Sequence, residues 1–226
     1  MPDFRPTWVV DEIRSRAGGL HPGCDVANLN HGAPPVRSKP PLIIWNHRWE
    51  FDKNPKDFFL ALDEMIKRGI DFRLALLGEN FQNCPKEFTA ARKRYGKRIV
   101  RYGYEPSRVA YEAWLKEGTV VISTAWQENF GISMVDAISA GCIPLLPQRL
   151  SYPEIIPESS HKDFLYKNQE ELVEKLARVL SGTSGSERKI EKLSFEMKRF
   201  SWEHMIPHYD DELKTLGFMQ GSKMKD

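Results

Sequence analysis

Short apolar runs alternate with segments of helical periodicity along most of the chain. The runs are rich in Val, Ile and Leu, which is typical of strands buried on both faces. A strand that is followed by a helix and a second strand forms a parallel pair, because the helix returns the chain to the edge where the first strand began. The sequence therefore predicts an α/β fold with a doubly wound, Rossmann-like parallel sheet. The predicted strands are residues 42–45, 72–77, 98–102, 119–123 and 142–146, and the predicted helices are residues 55–68, 86–95, 106–116, 131–140 and 169–180.

Composition excludes several classes of protein. No apolar run approaches the roughly 20 residues that cross a bilayer, and residues 1–20 lack the apolar core of a signal peptide, so we expect a soluble, cytoplasmic protein. The three cysteines, Cys24, Cys84 and Cys142, are odd in number and widely spaced, which argues against a disulfide framework and a zinc site. We expect no metal and no cofactor.

A loop and helix start after the fourth predicted strand carry two carboxylates. Glu128 lies in the loop, Gly131 opens the helix, and Asp136 shares a helix face with Ser133. Loops at the carboxyl ends of parallel strands face the ligand crevice, and the first backbone N–H groups of the helix, on Gly131, Ile132 and Ser133, attract anions and hydroxyl groups. The alternative is an acidic loop beside a solvated helix face.

The loop after the first predicted strand carries two cations. Arg48 offers a planar fork suited to a phosphate, and Lys53 offers a movable point charge. Pro55 suits the first turn of the helix that follows. The alternative is ordinary surface charge. Neither loop contains the G-x-G-x-x-G pattern of a nicotinamide site.

Taken together, these residues resemble a known family. Arg48 and Lys53 after a first strand, with Glu128-x-Phe130-Gly131 and an acid eight residues beyond Glu128, resemble the carboxyl-terminal half of a family 4 retaining glycosyltransferase. The resemblance extends from about His21 to Tyr209 and is closest to a subfamily that attaches mannose to the queuosine base of tRNA. Four segments make that finer match: His47-Arg48-Trp49-Glu50-x-Asp52-Lys53-Asn54-Pro55, Leu77-Gly78-Glu79, Gly103-Tyr104 and Tyr152-Pro153-Glu154.

This resemblance implies one half of a GT-B architecture, in which two Rossmann-like domains enclose the active site. It assigns residues 1–40 to the last helix of an absent amino-terminal domain plus a linker, and residues 41–200 to the nucleotide-sugar-binding domain. It assigns residues 201–226 to a crossover helix and a disordered tail. We expect the apolar stripe of that helix to be mostly core, and Pro207 to cause a kink or a fresh helix start.

The resemblance also assigns roles to the site residues. Arg48 and Lys53 hold the donor diphosphate, and Glu128 accepts hydrogen bonds from the transferred sugar. Asp136 holds the ribose hydroxyls. The family usually has Glu at that position, so the shorter Asp136 could make its contact through a water molecule.

The remaining assigned residues complete the cleft. Gly131, Ile132 and Ser133 supply backbone donors to the phosphates, and Tyr104 is the neighbour of the base. For Tyr104 the alternative is a half-buried packing aromatic.

The implied donor is a nucleotide sugar, GDP-mannose, and the implied acceptor is tRNA. Three other functions stay open: a non-catalytic module that binds a nucleotide or nucleotide sugar, a two-domain epimerase, and an RNA-binding scaffold. Residues 86–101 contain seven basic side chains against Glu87 alone, although the formal net charge of the chain is only +2. That segment indicates either RNA contact or a solvated helix face.

Overall fold

The computed structural model describes residues 7–29, 39–79, 84–185 and 187–223. The strands are β1 Leu42–Trp45, β2 Arg73–Leu76, β3 Ile99–Tyr102, β4 Val120–Ile122, β5 Ile143–Pro147 and β6 Leu165–Tyr166. The helices are α1 Thr7–Arg16, α2 Pro55–Lys67, α3 Lys86–Tyr95, α4 Arg108–Glu117, α5 Ile132–Ser139, α6 Tyr152–Ile155, α7 His161–Phe164, α8 Gln169–Leu180, α9 Glu187–Glu196 and α10 Trp202–Lys223.

The six strands form one parallel sheet in the order β3-β2-β1-β4-β5-β6. The order reverses direction between β1 and β4, whose registers align Ile43 with Val120 and Ile44 with Val121. Such a reversal leaves a crevice at the carboxyl ends of the two strands, where ligands bind in folds of this kind. The predicted doubly wound α/β fold is confirmed. β6 escaped prediction because a two-residue strand has no periodicity to recognise.

Helices cover the sheet in two groups. α2 contacts α3 and α8, whereas α5 contacts α4 and α9. Because both faces are covered, every residue of β1 is buried, from Leu42 to Trp45. This explains the unbroken apolar runs in the sequence, since a strand with helices on both sides has no solvent face to mark with polar residues.

Trp49 fixes the loop that follows β1. Its buried ring stacks on Phe88 with ring centroids 4.4 Å apart and meets Tyr102 edge-on at 4.7 Å. Its backbone N–H donates to the carbonyl oxygen of Glu79 at 2.9 Å. The loop after β1 is therefore tied to the loop after β2 by both packing and a backbone hydrogen bond.

The segment before β1 packs against the segment before α10. The Cys24 N–H donates to Phe200 O at 2.7 Å, and the Trp202 N–H donates to Cys24 O at 3.3 Å. A Cβ added to Gly23 would lie 2.3 Å from the Trp202 ring. Within residues 1–40, the part from His21 to Leu29 thus contacts the main domain.

The structure bears on two expectations for the last helix. α10 continues through Pro207, so the fresh helix start is excluded, and the alternative of a kink stays a prediction. The N–H that proline lacks would have bonded to the carbonyl of Glu203, an exposed residue. The apolar stripe is not mostly core, because Leu213 and Leu216 are exposed and only Met205 of the stripe is fully buried in the described residues.

The described part of the chain begins and ends in a helix. α1 exposes Trp8, Val10 and Ile13 to solvent. α10 runs to Lys223, so the first part of the predicted tail at 221–226 is helical. Residues 224–226 lie outside the described part of the chain.

Gly78 tests the packing of the β1 loop. A Cβ at this position would lie 1.9 Å from His47 O and 2.3 Å from the Trp49 ring, so Gly78→Ala must move the loop. We expect a loss of about 1–3 kcal/mol in the free energy of unfolding, the usual cost of overpacking, measured by urea denaturation. Gly19→Ala is the matched control, because a Cβ there meets nothing within 4 Å. Equal stability of the two variants would contradict the described loop contact.

Candidate functional site

A cleft of about 420 Å³ lies at the switch point of the sheet. The loops after β1, β2 and β3 form one side, and the starts of α4 and α5 form the other. Its wall includes Arg48, Tyr104, Ile132, Ser133 and Asp136, which are five of the eight predicted site residues. The other three, Lys53, Glu128 and Gly131, lie beside it.

The amino terminus of α5 points free backbone N–H groups toward this cleft. The first helical hydrogen bonds run from Met134 N and Val135 N to Gly131 O, at 2.9 and 3.1 Å. The N–H groups of Ile132 and Ser133 precede these bonds and so remain available to a ligand. Gly131 has φ 103°, a left-handed conformation that disfavours any other residue. The prediction that Gly131, Ile132 and Ser133 form a helix start at the cleft therefore agrees with the geometry.

Lys53 and Glu128 are in direct contact. Lys53 is only 7% exposed, and its Nζ lies 3.3 Å from Glu128 Oε2 and 3.3 Å from Asp52 Oδ2. The same nitrogen donates to Gln127 O at 2.7 Å. These contacts join the loop after β1 to the loop after β4, because Lys53 belongs to the first and Glu128 to the second.

Arg48 occupies a different position from Lys53. Its side chain is 55% exposed on the cleft wall, and its Nη2 lies 3.1 Å from Glu50 Oε2. Each predicted phosphate-binding cation thus has its own carboxylate partner. Arg48 can exchange an exposed partner for a ligand at small cost, whereas Lys53 is held in a buried network.

His47 lies between the cleft and the Lys53–Glu128 pair. It is 3% exposed, and its Nδ1 is 3.9 Å from Glu128 Oε2. Burial, reinforced by the charge of Lys53, lowers the pKa of His47 to about 3, so the ring is neutral. Its Nε2 is buried and has no hydrogen-bond partner in the described residues. Sequence reasoning gave His47 no role, although its position directly before Arg48 was a usable signal.

Asn46 is a second residue that sequence reasoning missed. Its Nδ2 donates to Ser133 O at 2.7 Å and to Tyr111 Oη at 3.1 Å, which links β1 to α5 and α4. Its Oδ1 is buried and lacks a partner among the described residues. An unpaired buried polar atom costs about 1–3 kcal/mol. Asn46 and His47 both belong to the cleft wall, so this cost falls on residues that shape the cleft.

Asp136 is paired with Arg108, which was also missed. Arg108 donates from Nη1 to Asp136 Oδ2 at 3.0 Å, and it also contacts Glu112 and the carbonyl of Asp25. Burial raises the pKa of Asp136, and Arg108 opposes that rise. Arg108 stands in the first turn of a predicted helix at the same sheet edge, which was the signal available. Asp136 therefore offers one oxygen to a ligand while Arg108 holds the other.

Tyr104 stands at the mouth of the cleft. Its side chain is 56% exposed, so it is not a half-buried packing residue. Its carbonyl accepts a hydrogen bond from Arg101 Nη2 at 2.7 Å, which anchors the backbone while the ring stays open to solvent. An exposed aromatic ring at a cleft edge can stack on a base.

In the described residues, no group of three or more His, Cys, Asp or Glu side chains is placed to hold a metal ion. No helix in the same residues combines the length and the apolar character needed to cross a membrane.

A Rossmann-like domain with its cleft at the switch point and a glycine-opened helix at that cleft has the fold of one domain of the GT-B glycosyltransferases. The family comparison is more specific. Residues 28–194 match the model described as Glycosyl transferases group 1, and the chain belongs to this family.

Several known proteins are similar to this chain. A tRNA-queuosine alpha-mannosyltransferase of Drosophila melanogaster is 36% identical over 171 residues, covering 75% of this chain and 44% of that protein. A GDP-mannose:cellobiosyl-diphosphopolyprenol alpha-mannosyltransferase of Xanthomonas oryzae pv. oryzae is 22% identical over 174 residues, covering 75% of this chain and 46% of that protein. The chain thus spans about half the length of these curated relatives.

A solved structure shares the fold at low sequence identity. The alpha,alpha-trehalose-phosphate synthase (UDP-forming) from Burkholderia vietnamiensis superposes with a TM-score of 0.70 at 10% identity, covering 89% of this chain and 52% of that chain.

The neutral state of His47 predicts a pH effect on stability. The pKa of His47 is about 3 in the folded chain, against an ordinary value of 6.5 in the unfolded chain. Between these two pH values the unfolded chain binds one more proton than the folded chain. The free energy of unfolding is therefore unaffected by this group above pH 6.5 and falls as the pH drops toward 3, by at most about 1.4 kcal/mol per pH unit. We expect His47→Gln to flatten this slope in urea denaturation measured across that range.

His208→Gln is the control for this prediction, because it changes an exposed histidine on α10. We expect its pH curve to follow that of the unchanged protein. A His47→Gln curve that coincides with both would contradict the buried neutral histidine.

Proposed function

We propose that this chain is the donor-binding half of a retaining glycosyltransferase that transfers mannose from GDP-mannose to the queuosine base of tRNA. The observation that carries the proposal is the cleft wall, where the exposed Arg48 and the free helix N–H groups of Ile132 and Ser133 converge on one space. The names of the two mannosyltransferase relatives support the choice of sugar, donor and acceptor. A cytoplasmic site of action is part of the proposal, since the proposed acceptor is tRNA.

The phosphates of the donor belong between Arg48 and the start of α5. The guanidinium of Arg48 can leave Glu50 and donate two hydrogen bonds to a phosphate. The N–H groups of Ile132 and Ser133, with the positive end of the α5 dipole, suit the same anion. Lys53 adds a buried positive charge close to this point.

The sugar belongs beside Glu128. Lys53 holds Glu128 Oε2 at 3.3 Å, and the Asn129 N–H donates to Oε1 at 3.2 Å, so the carboxylate has a fixed orientation. A fixed carboxylate accepts hydrogen bonds from sugar hydroxyls without first losing conformational freedom.

In transfer, the bond between the anomeric carbon and the phosphate oxygen breaks, and its electron pair stays on the phosphate. The acceptor hydroxyl attacks from the same face, and its proton passes to that phosphate oxygen. Arg48, Lys53 and the α5 N–H groups stabilise the negative charge that grows there, which is where fixed dipoles and cations lower a barrier most. No protein nucleophile takes part.

The nucleoside belongs at the other end of the cleft. Asp136 Oδ1 is open to the ribose hydroxyls while Arg108 holds Oδ2 at 3.0 Å. A water molecule can fill the distance left by the shorter side chain. Tyr104 stacks on the base.

A non-catalytic nucleotide-sugar-binding module is the second candidate. It requires only the cleft with Arg48 and the start of α5, and no acceptor site. Mannose transfer to queuosine-containing tRNA separates the two candidates: an enzyme half needs an amino-terminal partner domain for transfer, whereas a binding module never acquires transfer.

Arg48 tests the phosphate site. A charge-assisted contact to a phosphate contributes about 1.5–3 kcal/mol, so Arg48→Ala should weaken GDP binding roughly tenfold to over a hundredfold in calorimetric titration. The exposed position of Arg48 predicts unchanged thermal stability. Arg68→Ala is the matched control, because Arg68 is another exposed arginine with one carboxylate partner, Glu174, at 2.6 Å. Equal GDP affinity in the two variants would rule out the phosphate role.

Substitution of the two carboxylates tests which end of the donor lies beside each of them. Glu128→Gln should weaken the binding of GDP-mannose much more than that of GDP, because only the conjugate carries the sugar. Asp136→Asn should weaken guanosine, GDP and GDP-mannose by similar factors, because all three contain the ribose. Calorimetric titration of both variants with the three ligands gives the comparison, and the same loss for every ligand in both variants would contradict the assignment.

A further inference from the structure

The surface formed by α3 and β3 carries most of the excess positive charge of the chain. Residues 86–101 hold seven basic side chains and one acidic side chain, in a chain whose formal net charge is +2. The buried face of α3 consists of Phe88, Ala91 and Tyr95, which pack into the core. The basic residues are thereby directed outward, and Lys86, Arg92, Lys93 and Lys97 are all exposed.

Only part of this charge is neutralised by neighbouring acids. Arg94 pairs with Asp63, Arg98 with Asp71 and Arg101 with Glu105. Lys86, Arg92, Lys93 and Lys97 have no carboxylate oxygen within 4.0 Å in the described residues. We call these four residues together with Arg101 the basic surface.

The basic surface contains a groove along the edge strand of the sheet. The groove has a volume of about 250 Å³ and is lined by Arg92, Arg101 and Tyr102 among others. The guanidinium of Arg92 lies 4.7 Å from the centroid of the Tyr102 ring, which holds it at the groove wall. Arg101 Nε is buried and has no partner in the described part of the chain. An open groove with two guanidinium groups suits a phosphate chain.

The groove adjoins the donor cleft. Arg101 Nη2 donates to Tyr104 O at 2.7 Å and lies 3.2 Å from Glu105 Oε2. Tyr104 and Glu105 belong to the wall of the cleft. An extended polyanion on the basic surface would therefore pass beside the place where the sugar donor binds.

We propose that the basic surface binds the phosphate backbone of RNA and so brings an acceptor nucleotide to the donor cleft. The inference rests on the proposed function in taking RNA as the partner. The geometry is that of backbone recognition, because exposed lysines and a polar groove contact phosphates without selecting bases. RNA shape and the distance to the cleft then determine which nucleotide reaches the donor.

The test uses the full 226-residue chain and an unmodified tRNA transcript, with affinity measured by fluorescence anisotropy over a series of salt concentrations. The triple variant Lys86→Gln, Lys93→Gln, Lys97→Gln removes three exposed charges. Each phosphate contact contributes about 0.7–0.9 to the slope of log affinity against log salt, so we expect the slope to flatten by about 2–3. The control triple Lys162→Gln, Lys167→Gln, Lys192→Gln makes the same change of net charge at exposed positions elsewhere, and it should keep the original slope.

Equal slopes in the two triple variants would overturn the proposal, and so would the absence of tRNA binding by the unchanged chain. If the triple variant of Lys86, Lys93 and Lys97 lost binding to phosphatidylglycerol vesicles and kept its tRNA binding, the proposal would be overturned in favour of a membrane surface. GDP titration of the same variants keeps this test separate from the proposed function, because the basic surface should not alter GDP affinity. Absence of GDP binding by the unchanged chain with a flattened tRNA slope would refute the donor site and leave the basic surface standing.

Discussion

The buried ammonium of Lys53 is the interaction on which the site depends. It contacts Glu128 and Asp52 at 3.3 Å each and the carbonyl of Gln127 at 2.7 Å. These groups come from the loops after β1 and β4, the two strands between which the sheet reverses its order. Removing Lys53 would leave Glu128 and Asp52 without their shared cation, and breaking a buried ion pair in this way costs about 3–5 kcal/mol. Lys53 therefore maintains the geometry of the crevice as well as its charge.

The charges around the cleft are arranged in pairs that differ in burial. The exposed pair of Arg48 and Glu50 can open to admit a phosphate at little cost, whereas the buried contacts of Lys53 and of Asp136 persist. His47 contributes no charge, because burial and Lys53 keep it neutral. A ligand with a diphosphate in its middle and hydroxyl groups at both ends fits this division into exchangeable and fixed groups.

Much of the fold followed from the sequence because buried parallel strands leave unbroken apolar runs. The five predicted strands agree with the structure to within one residue at each end. The position of Gly131, Ile132 and Ser133 at the carboxyl edge of the sheet followed from the sequence, because a helix that begins directly after a parallel strand begins at that edge. The contact between Lys53 and Glu128 was harder, since residues 75 positions apart meet only through the sheet order.

Other features depended on tertiary contacts that a single sequence does not display. The pairing of Asp136 with Arg108 joins two helices, and the orphaned atoms of Asn46 and His47 arise from packing around them. α10 passes through Pro207, and the residue whose carbonyl loses its donor, Glu203, is exposed. The apolar residues Leu213 and Leu216 have helical spacing, yet both are exposed among the residues that the structure describes. Periodicity alone does not reveal whether such a surface exists.

The decisive measurement is calorimetric titration of the chain with GDP, UDP, ADP, their sugar conjugates and inorganic pyrophosphate. We expect saturable binding of a nucleoside diphosphate, with GDP and GDP-mannose preferred, and weaker binding in Arg48→Ala. Absence of heat from every nucleotide, or equal affinity for inorganic pyrophosphate and GDP, would contradict a cleft that holds phosphate, ribose and base together.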